Sequence, residues 1–259
     1  MLDAVSALGY NAHMWSYLLL GVIQGITEWL PISSQGIVAL TSRFMELGVN
    51  EIDIALFLHL GTMIAVLVYF RKDWISLLKL ENPRLLKFLI IATIISLIIG
   101  FPIYRFVRNM VIGPLLLFIT GIGLMITAWM HKMHRNKGWR LDKMPYLVGF
   151  LQGLSAIPGF SRSGSTIFGL SFANLNSTEI LKISYLMSLP VVLTSSLYLI
   201  WQEPVLIWTS WPALITSFIV GLISLRLLLK ISQRISFAFW AFLFSILCFL
   251  GAFINYLAL

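Results

Sequence analysis

Charge is scarce in this sequence. Only 11% of its 259 residues are charged, while 59% are hydrophobic. A soluble domain carries about 25% charged and about 45–50% apolar residues, so a water-soluble architecture is excluded. Cysteine is nearly absent: the single Cys248 rules out an internal disulfide and leaves no cysteine-based metal site. Acidic side chains number 10 against 18 Lys and Arg. The resulting charge of +8 does not point to nucleic acid, because the basic residues sit in short loops between apolar runs, where they act as topology signals.

What remains is a chain of apolar stretches, and they are of two kinds. Residues 52–70, 88–104, 111–130, 180–201, 208–229 and 236–259 are unbroken, each close to the roughly 17–25 residues that cross a bilayer as a helix. Residues 17–44 and 146–172 are interrupted. The first carries Gly21, Gln24, Gly25, Glu28, Pro31, Ser33, Ser34, Gln35 and Gly36. Broken segments are tolerated at membrane depth only where protein covers them or they line a cavity. Each is therefore expected to form a re-entrant helical hairpin, the first turning near residues 31–36. The fold expected is an all-α polytopic membrane protein, a single membrane domain over residues 1–259.

The two halves match one another. An offset of 128 residues pairs Gln24 with Gln152, and with it Leu19 with Leu147, Gly21 with Gly149, Gly25 with Gly153 and Ser33 with Ser161. The same offset pairs Gly36 with Gly164, Phe44 with Phe172, Leu47 with Leu175, Glu51 with Glu179 and Ile52 with Ile180. Repeat one covers about 17–130 and repeat two about 146–259, each a hairpin followed by three transmembrane helices. An odd number of spans makes the second half enter from the opposite face, which predicts an inverted-topology repeat with its site where the two hairpin tips meet.

Loop charges give the orientation. Arg71, Lys72, Lys79, Arg84 and Lys87, then Lys132, Arg135, Lys137, Arg140 and Lys143, then Lys230 and Arg234 fall on one side by span counting. Arg43, Arg105 and Arg108 fall on the other. By the positive-inside rule the first set is cytoplasmic, so both termini and the site face outward from the cell membrane.

Two charges lie inside the interrupted stretches. An arginine at membrane depth costs at least about 2.5–3.5 kcal/mol on insertion scales, so Arg162 calls for an anionic partner. Ser161, Ser163, Ser165 and Thr166 surround it with hydroxyls, and Gly159 and Gly164 let the backbone turn. Together they suit a phosphate cradle in which the guanidinium forks onto two oxygens. A solvated surface turn would use the same residue types. Glu28 is the second charge, with Gln24 one helical turn before it on the same face and Ser33 and Ser34 beyond it. An acidic end, a cationic end and hydroxyls between them suit a phosphoanhydride. The plainer readings are a helix cap for the serines and a counter-charge to Arg162 for Glu28.

Residues 24–34, Gln-Gly-Ile-Thr-Glu-Trp-Leu-Pro-Ile-Ser-Ser, and residues 158–166, Pro-Gly-Phe-Ser-Arg-Ser-Gly-Ser-Thr, resemble the two signature motifs of the undecaprenyl-diphosphatase, or bacitracin-resistance, family. Segments at Leu60-Gly61-Thr62, Tyr69-Phe70-Arg71 and Arg234-Ile235-Ser236-Phe237 are similar to family segments too, so the resemblance covers nearly the whole chain. It implies a membrane hydrolase that converts a polyprenyl diphosphate lipid to the monophosphate plus phosphate, recycling the lipid carrier of envelope glycan synthesis. It also implies a divalent cation, Mg2+ or Ca2+, at Gln24 and Glu28, and diphosphate binding by Arg162. Ser33, Ser161, Ser163 and Gly164 are the expected phosphate contacts. Glu28 and Ser34 are expected as catalytic groups with Arg162.

One position departs from the family pattern. The histidine usual three residues after the second serine of the first motif is replaced by Ile37. His59 is the remaining histidine near enough to serve as acid or base, with Glu28 favoured over it. The alternative is an isoprenyl-phosphate transporter that has lost hydrolysis; a homo-oligomer is left open.

Overall fold

Helices account for the architecture, and the residues between them explain where each stops. In chain order they are α1 (Leu2–Thr27), α2 (Ser34–Phe44), α3 (Glu51–Tyr69), α4 (Arg71–Leu78), α5 (Pro83–Met110) and α6 (Pro114–Lys132). The second half contributes α7 (Pro145–Leu154), α8 (Arg162–Leu170), α9 (Ser177–Gln202), α10 (Val205–Ile231) and α11 (Phe237–Leu257). This computed structural model describes residues 2–30, 32–110, 114–133, 137–231 and 237–257. Pro31, expected at the first tip, and the loop charges Arg135 and Arg234 lie outside the described residues.

Among the described residues four helices are long and apolar enough to cross a membrane: 51–69, 83–108, 177–202 and 205–230. α6 and α11, of 19 and 21 residues, pack against each other, where the Ser245 hydroxyl donates to the Gly121 carbonyl at 2.9 Å. The chain is an integral membrane protein. Both interrupted stretches break as expected, α1 from α2 over residues 28–33 and α7 from α8 over residues 155–161.

Three boundaries differ from the sequence reading. α1 does not begin near residue 17 but runs back to Leu2, because nothing between Leu2 and Tyr17 stops a helix except one tolerated glycine. α5 does not end at Tyr104 but continues to Met110, so Arg105 and Arg108 stand on helix rather than in a loop. The loop after α3 contains α4, which buries Leu77; no glycine or proline interrupts residues 71–78.

The two breaks are built alike. α2 and α8 start at Ser34 and Arg162, positions related by the same offset of 128. Their preceding serines cap them in the same way, Ser33 accepting from the Gly36 amide and Ser161 from the Gly164 amide. The matched glycines also have matched uses. A Cβ on Gly25 would lie 2.7 Å from the Gly221 nitrogen of α10, and one on Gly153 would lie 2.7 Å from the Ile99 Cβ of α5. α1 thus packs on α10 as α7 packs on α5, through small residues that let backbones approach.

Two ion-pair groups fix the directions of α3 and α9, which also correspond under the offset. Asp53 near the start of α3 pairs with Arg108 of α5, and Arg108 also holds Glu203, just past the end of α9. At the other end Asp73, just past α3, pairs with Lys182 near the start of α9. The two helices therefore run antiparallel.

Candidate active site

Glu28 follows the last turn of α1, its amide still donating to the Gln24 carbonyl at 3.0 Å. It is 4% exposed. A carboxylate this deep survives only if its oxygens are satisfied, and Glu28 has four neighbours to do so. Oε2 accepts from Gln24 Nε2 at 2.8 Å and from Ser34 Oγ at 2.7 Å, and it lies 3.2 Å from His59 Nε2. Oε1 is held by Arg162 Nη2.

Those neighbours come from both halves. Gln24 belongs to α1, Ser34 is the first residue of α2, His59 lies mid-way along α3, and Arg162 opens α8. Two further bonds join the breaks directly: the Gly159 amide donates to Ser33 Oγ at 3.1 Å, and Ser163 Oγ reaches the Leu30 carbonyl at 3.4 Å. Ser33 has φ +60 and Gly159 φ +86, so both tips turn through left-handed backbone. At 159 only glycine fits, since a Cβ would also collide with the Thr120 backbone of α6. α6 further braces the second tip through Thr127, whose hydroxyl accepts from the Ser161 amide at 3.2 Å.

Arg162 is only half used. One terminal nitrogen meets Glu28, whereas Nη1 is buried without a hydrogen-bond partner. Leaving such a donor unmade costs about 1–3 kcal/mol or more for a charged group. A bound anion would remove that cost. Ser161 Oγ and Ser163 Oγ lie 3.2 Å apart beside it, on the first turn of α8, where free backbone amides favour negative charge.

His59 is oriented from behind. Its Nδ1 lies 2.6 Å from the Ala55 carbonyl, and a carbonyl only accepts, so Nδ1 carries a proton. Nε2 then faces a carboxylate oxygen, and the contact attracts only when one more proton lies between His59 and Glu28. The pair is thus arranged to hold and pass a proton. Ile37, in the position of the missing histidine, packs instead beside an apolar cluster that includes Ile32, Leu117 and Leu124.

A cavity of about 480 Å3 opens at this polar cluster. Glu28, Ser33, Ser34, His59, Arg162 and Ser163 line one end; the rest runs between α5 and α9 toward Tyr104 and Tyr198. Ile98 and Phe101, on its wall, are also exposed on the outer surface at 62% and 42%. The cavity therefore opens sideways between the two helices. Each has an interior proline, Pro102 and Pro190, which breaks the regular hydrogen-bond ladder beside the opening.

A divalent cation of the kind implied by the resemblance would have to share Glu28 with Arg162 and His59 and draw its other ligands from substrate phosphate and water. Among the described residues no three of His, Cys, Asp and Glu come together. Glu28 is the one carboxylate, and its oxygens already face Arg162 and His59. Gln24 turns its amide nitrogen to Glu28 and stands off the cavity wall, its own oxygen unpartnered. Gln24 is placed as a support for Glu28.

Sequence reading missed the network at the cavity's far end. The Tyr104 hydroxyl donates to Asp53 Oδ1 at 2.8 Å, and Arg108 donates to both Asp53 oxygens. An aspartate two residues into an apolar helix was the available signal.

The family model described as bacitracin resistance protein BacA matches residues 17–250. Proteins named undecaprenyl-diphosphatase are similar along most of their length. The one from Methanococcoides burtonii is 32% identical, covering 92% of this chain and 97% of its own. That from Methanothrix thermoacetophila is 33% identical over 86% and 91% respectively. One from Methanopyrus kandleri is 33% identical over 87% and 91%. With both motifs meeting at one cavity and the match spanning both halves, this chain belongs to the bacitracin resistance protein BacA family.

Proposed function

We propose that the chain hydrolyses undecaprenyl diphosphate to undecaprenyl phosphate and inorganic phosphate. The observation that carries this reading is the half-used Arg162, one arm on Glu28 and the other unpartnered, at the polar end of a cavity whose remainder is apolar and open to the side. A diphosphate suits the polar end. The isoprenyl chain suits the gap between α5 and α9, since a C55 chain is far too long for the cavity and has to continue into lipid.

Hydrolysis breaks the bridging P–O bond, with the lipid monophosphate as leaving group, after an oxygen attacks the terminal phosphorus. Arg162 and the amides of the α8 first turn stabilise the charge growing on the phosphoryl oxygens. Ser33 and Ser163 bond across from one tip to the other, and Ser161 Oγ beside Ser163 Oγ adds a hydroxyl next to Arg162 for the phosphate. Ser34, donating to Glu28, either positions the attacking water or attacks directly, in which case a phosphoserine forms and a water then cleaves it to release phosphate and restore the hydroxyl. In both cases the proton released goes to the Glu28–His59 pair and then to the leaving oxygen or solvent. His59 thus fills the part that Ile37 cannot.

We also read the two halves as an inverted repeat, supported by the antiparallel α3 and α9 and the matched caps. With the basic loops inward, the cavity faces the outer side of the cell membrane. Release of phosphate from undecaprenyl diphosphate by purified protein, with and without chelator, tests the reaction and the cation together. Sidedness is tested in a Cys248→Ala background: Gln202→Cys is expected to react with an impermeant thiol reagent on intact cells, and Lys79→Cys only after permeabilisation. The reverse pattern would overturn the orientation.

A further inference from the structure

Arg84 is the second residue of α5, and the first turn of that helix holds no acidic residue. The N-terminal end of a helix is itself partially positive, so a guanidinium there is repelled rather than offset. Among the described residues no carboxylate pairs with Arg84, whereas Arg140 has Asp142 at 2.9 Å and Lys182 has Asp73. Arg84 is exposed, so its guanidinium is free to meet an anion from outside the chain.

Arg84 borders a second cavity, of about 540 Å3, where the N-terminal ends of α5 and α9 meet residues 138–142 and 173–175. Arg140 and Lys182 share its wall, and Leu85, Leu175 and Ile183 give it apolar surface. Its two carboxylates are already engaged, Asp142 by Arg140 and Glu179 in the Asn176 capping box. Trp139 on the rim is 45% exposed, with Lys137 Nζ 5.4 Å from its ring centre, an arrangement typical of a membrane interface. From this end Ile90, Ile94 and Ile98 form an exposed apolar ridge along α5. That ridge is a track for an acyl chain, which a free phosphate would not need.

We propose that this cavity binds the phosphate headgroup of an anionic membrane lipid, in the leaflet on the basic side of the protein. Basic pockets between the ends of membrane helices suit such headgroups. The same two helices flank the lateral opening of the catalytic cavity, so a headgroup held between their N-terminal ends braces the pair from the opposite leaflet.

The test is native mass spectrometry of the delipidated full chain titrated with phosphatidylglycerol, with phosphatidylcholine of the same chains and inorganic phosphate as comparisons. Wild type is expected to retain one phosphatidylglycerol with a preference of about tenfold or more over phosphatidylcholine. The double variant Arg84→Gln, Arg140→Gln is expected to lose most of that preference while eluting as the folded protein does. Lys79→Gln, outside the cavity, and Arg162→Lys, in the catalytic one, are expected to keep it. Equal retention of both lipids, or a preference that survives the double variant, overturns the proposal. So does an equal loss in Lys79→Gln, which means diffuse surface charge, a loss in Arg162→Lys, which places the lipid in the catalytic cavity, or displacement of the lipid by inorganic phosphate alone.

Discussion

His59 Nε2 lies 3.2 Å from Glu28 Oε2, with His59 Nδ1 anchored on the Ala55 carbonyl. From sequence, Glu28 is favoured as the acid or base and His59→Ala is expected to cost less than about tenfold, roughly 1.4 kcal/mol of barrier. The contact changes that expectation. A group that takes or gives a proton in the transition state contributes about 10²–10⁴-fold, so His59→Ala should lower kcat by about 100-fold or more. His59→Gln separates proton transfer from positioning, because an amide donates to Glu28 without moving a proton. Recovery to within about tenfold of wild type in His59→Gln would reduce His59 to a positioning residue.

Arg162→Lys keeps the charge opposite Glu28 but loses the planar fork. The expected outcome is a protein that folds and whose kcat/KM for the lipid diphosphate falls by about 100-fold, close to 2.7 kcal/mol of transition-state stabilisation. Steady-state kinetics on detergent-purified protein check it. Near-normal turnover would mean that Arg162 serves only to neutralise Glu28.

Ser33 holds the two halves together at the tip, accepting from Gly36 of its own helix and from Gly159 of the other break. Ser33→Ala leaves both buried amides without that partner and should lower stability by about 1–3 kcal/mol. Thermal unfolding in detergent reads this out. A change below about 0.5 kcal/mol would show that the bond between the tips carries no weight.

Asp53 is 2% exposed and bonded by Tyr104 and by two nitrogens of Arg108. Removing one partner of a buried pair typically costs about 3–5 kcal/mol, so Asp53→Ala should unfold well below the wild type. Replacing both members, Asp53→Leu with Arg108→Leu, should recover much of that loss. A double variant no more stable than Asp53→Ala would place the damage elsewhere.

The sequence made the spans legible because their apolar runs match the bilayer, and the breaks legible because Gly, Pro, Ser and charge interrupt two of them. The offset that pairs Gln24 with Gln152 also located the caps, since Ser33 and Ser161 sit at equivalent turns. Helix ends were less legible. The apolar pattern starts near residue 17 and so does not mark where α1 begins, and it does not tell that Arg108 stays on α5 and folds back onto Asp53, which depends on a neighbour distant in sequence. The nearness of His59 to Glu28 is of the same kind: they lie on different helices, and only the packing of α3 against the first break brings them together. Gln24 illustrates the limit of spacing, which puts it on the face of Glu28 without saying whether its oxygen or its nitrogen turns inward.

The most direct test compares phosphate release from undecaprenyl diphosphate by purified wild type and Glu28→Gln, with both proteins shown to be folded. Wild type should release inorganic phosphate and accumulate undecaprenyl phosphate, while Glu28→Gln, an isostere that accepts no proton, should fall to background. Release by Glu28→Gln at the wild-type rate, or no release by wild type under any divalent cation, would contradict a hydrolytic site built from the two breaks.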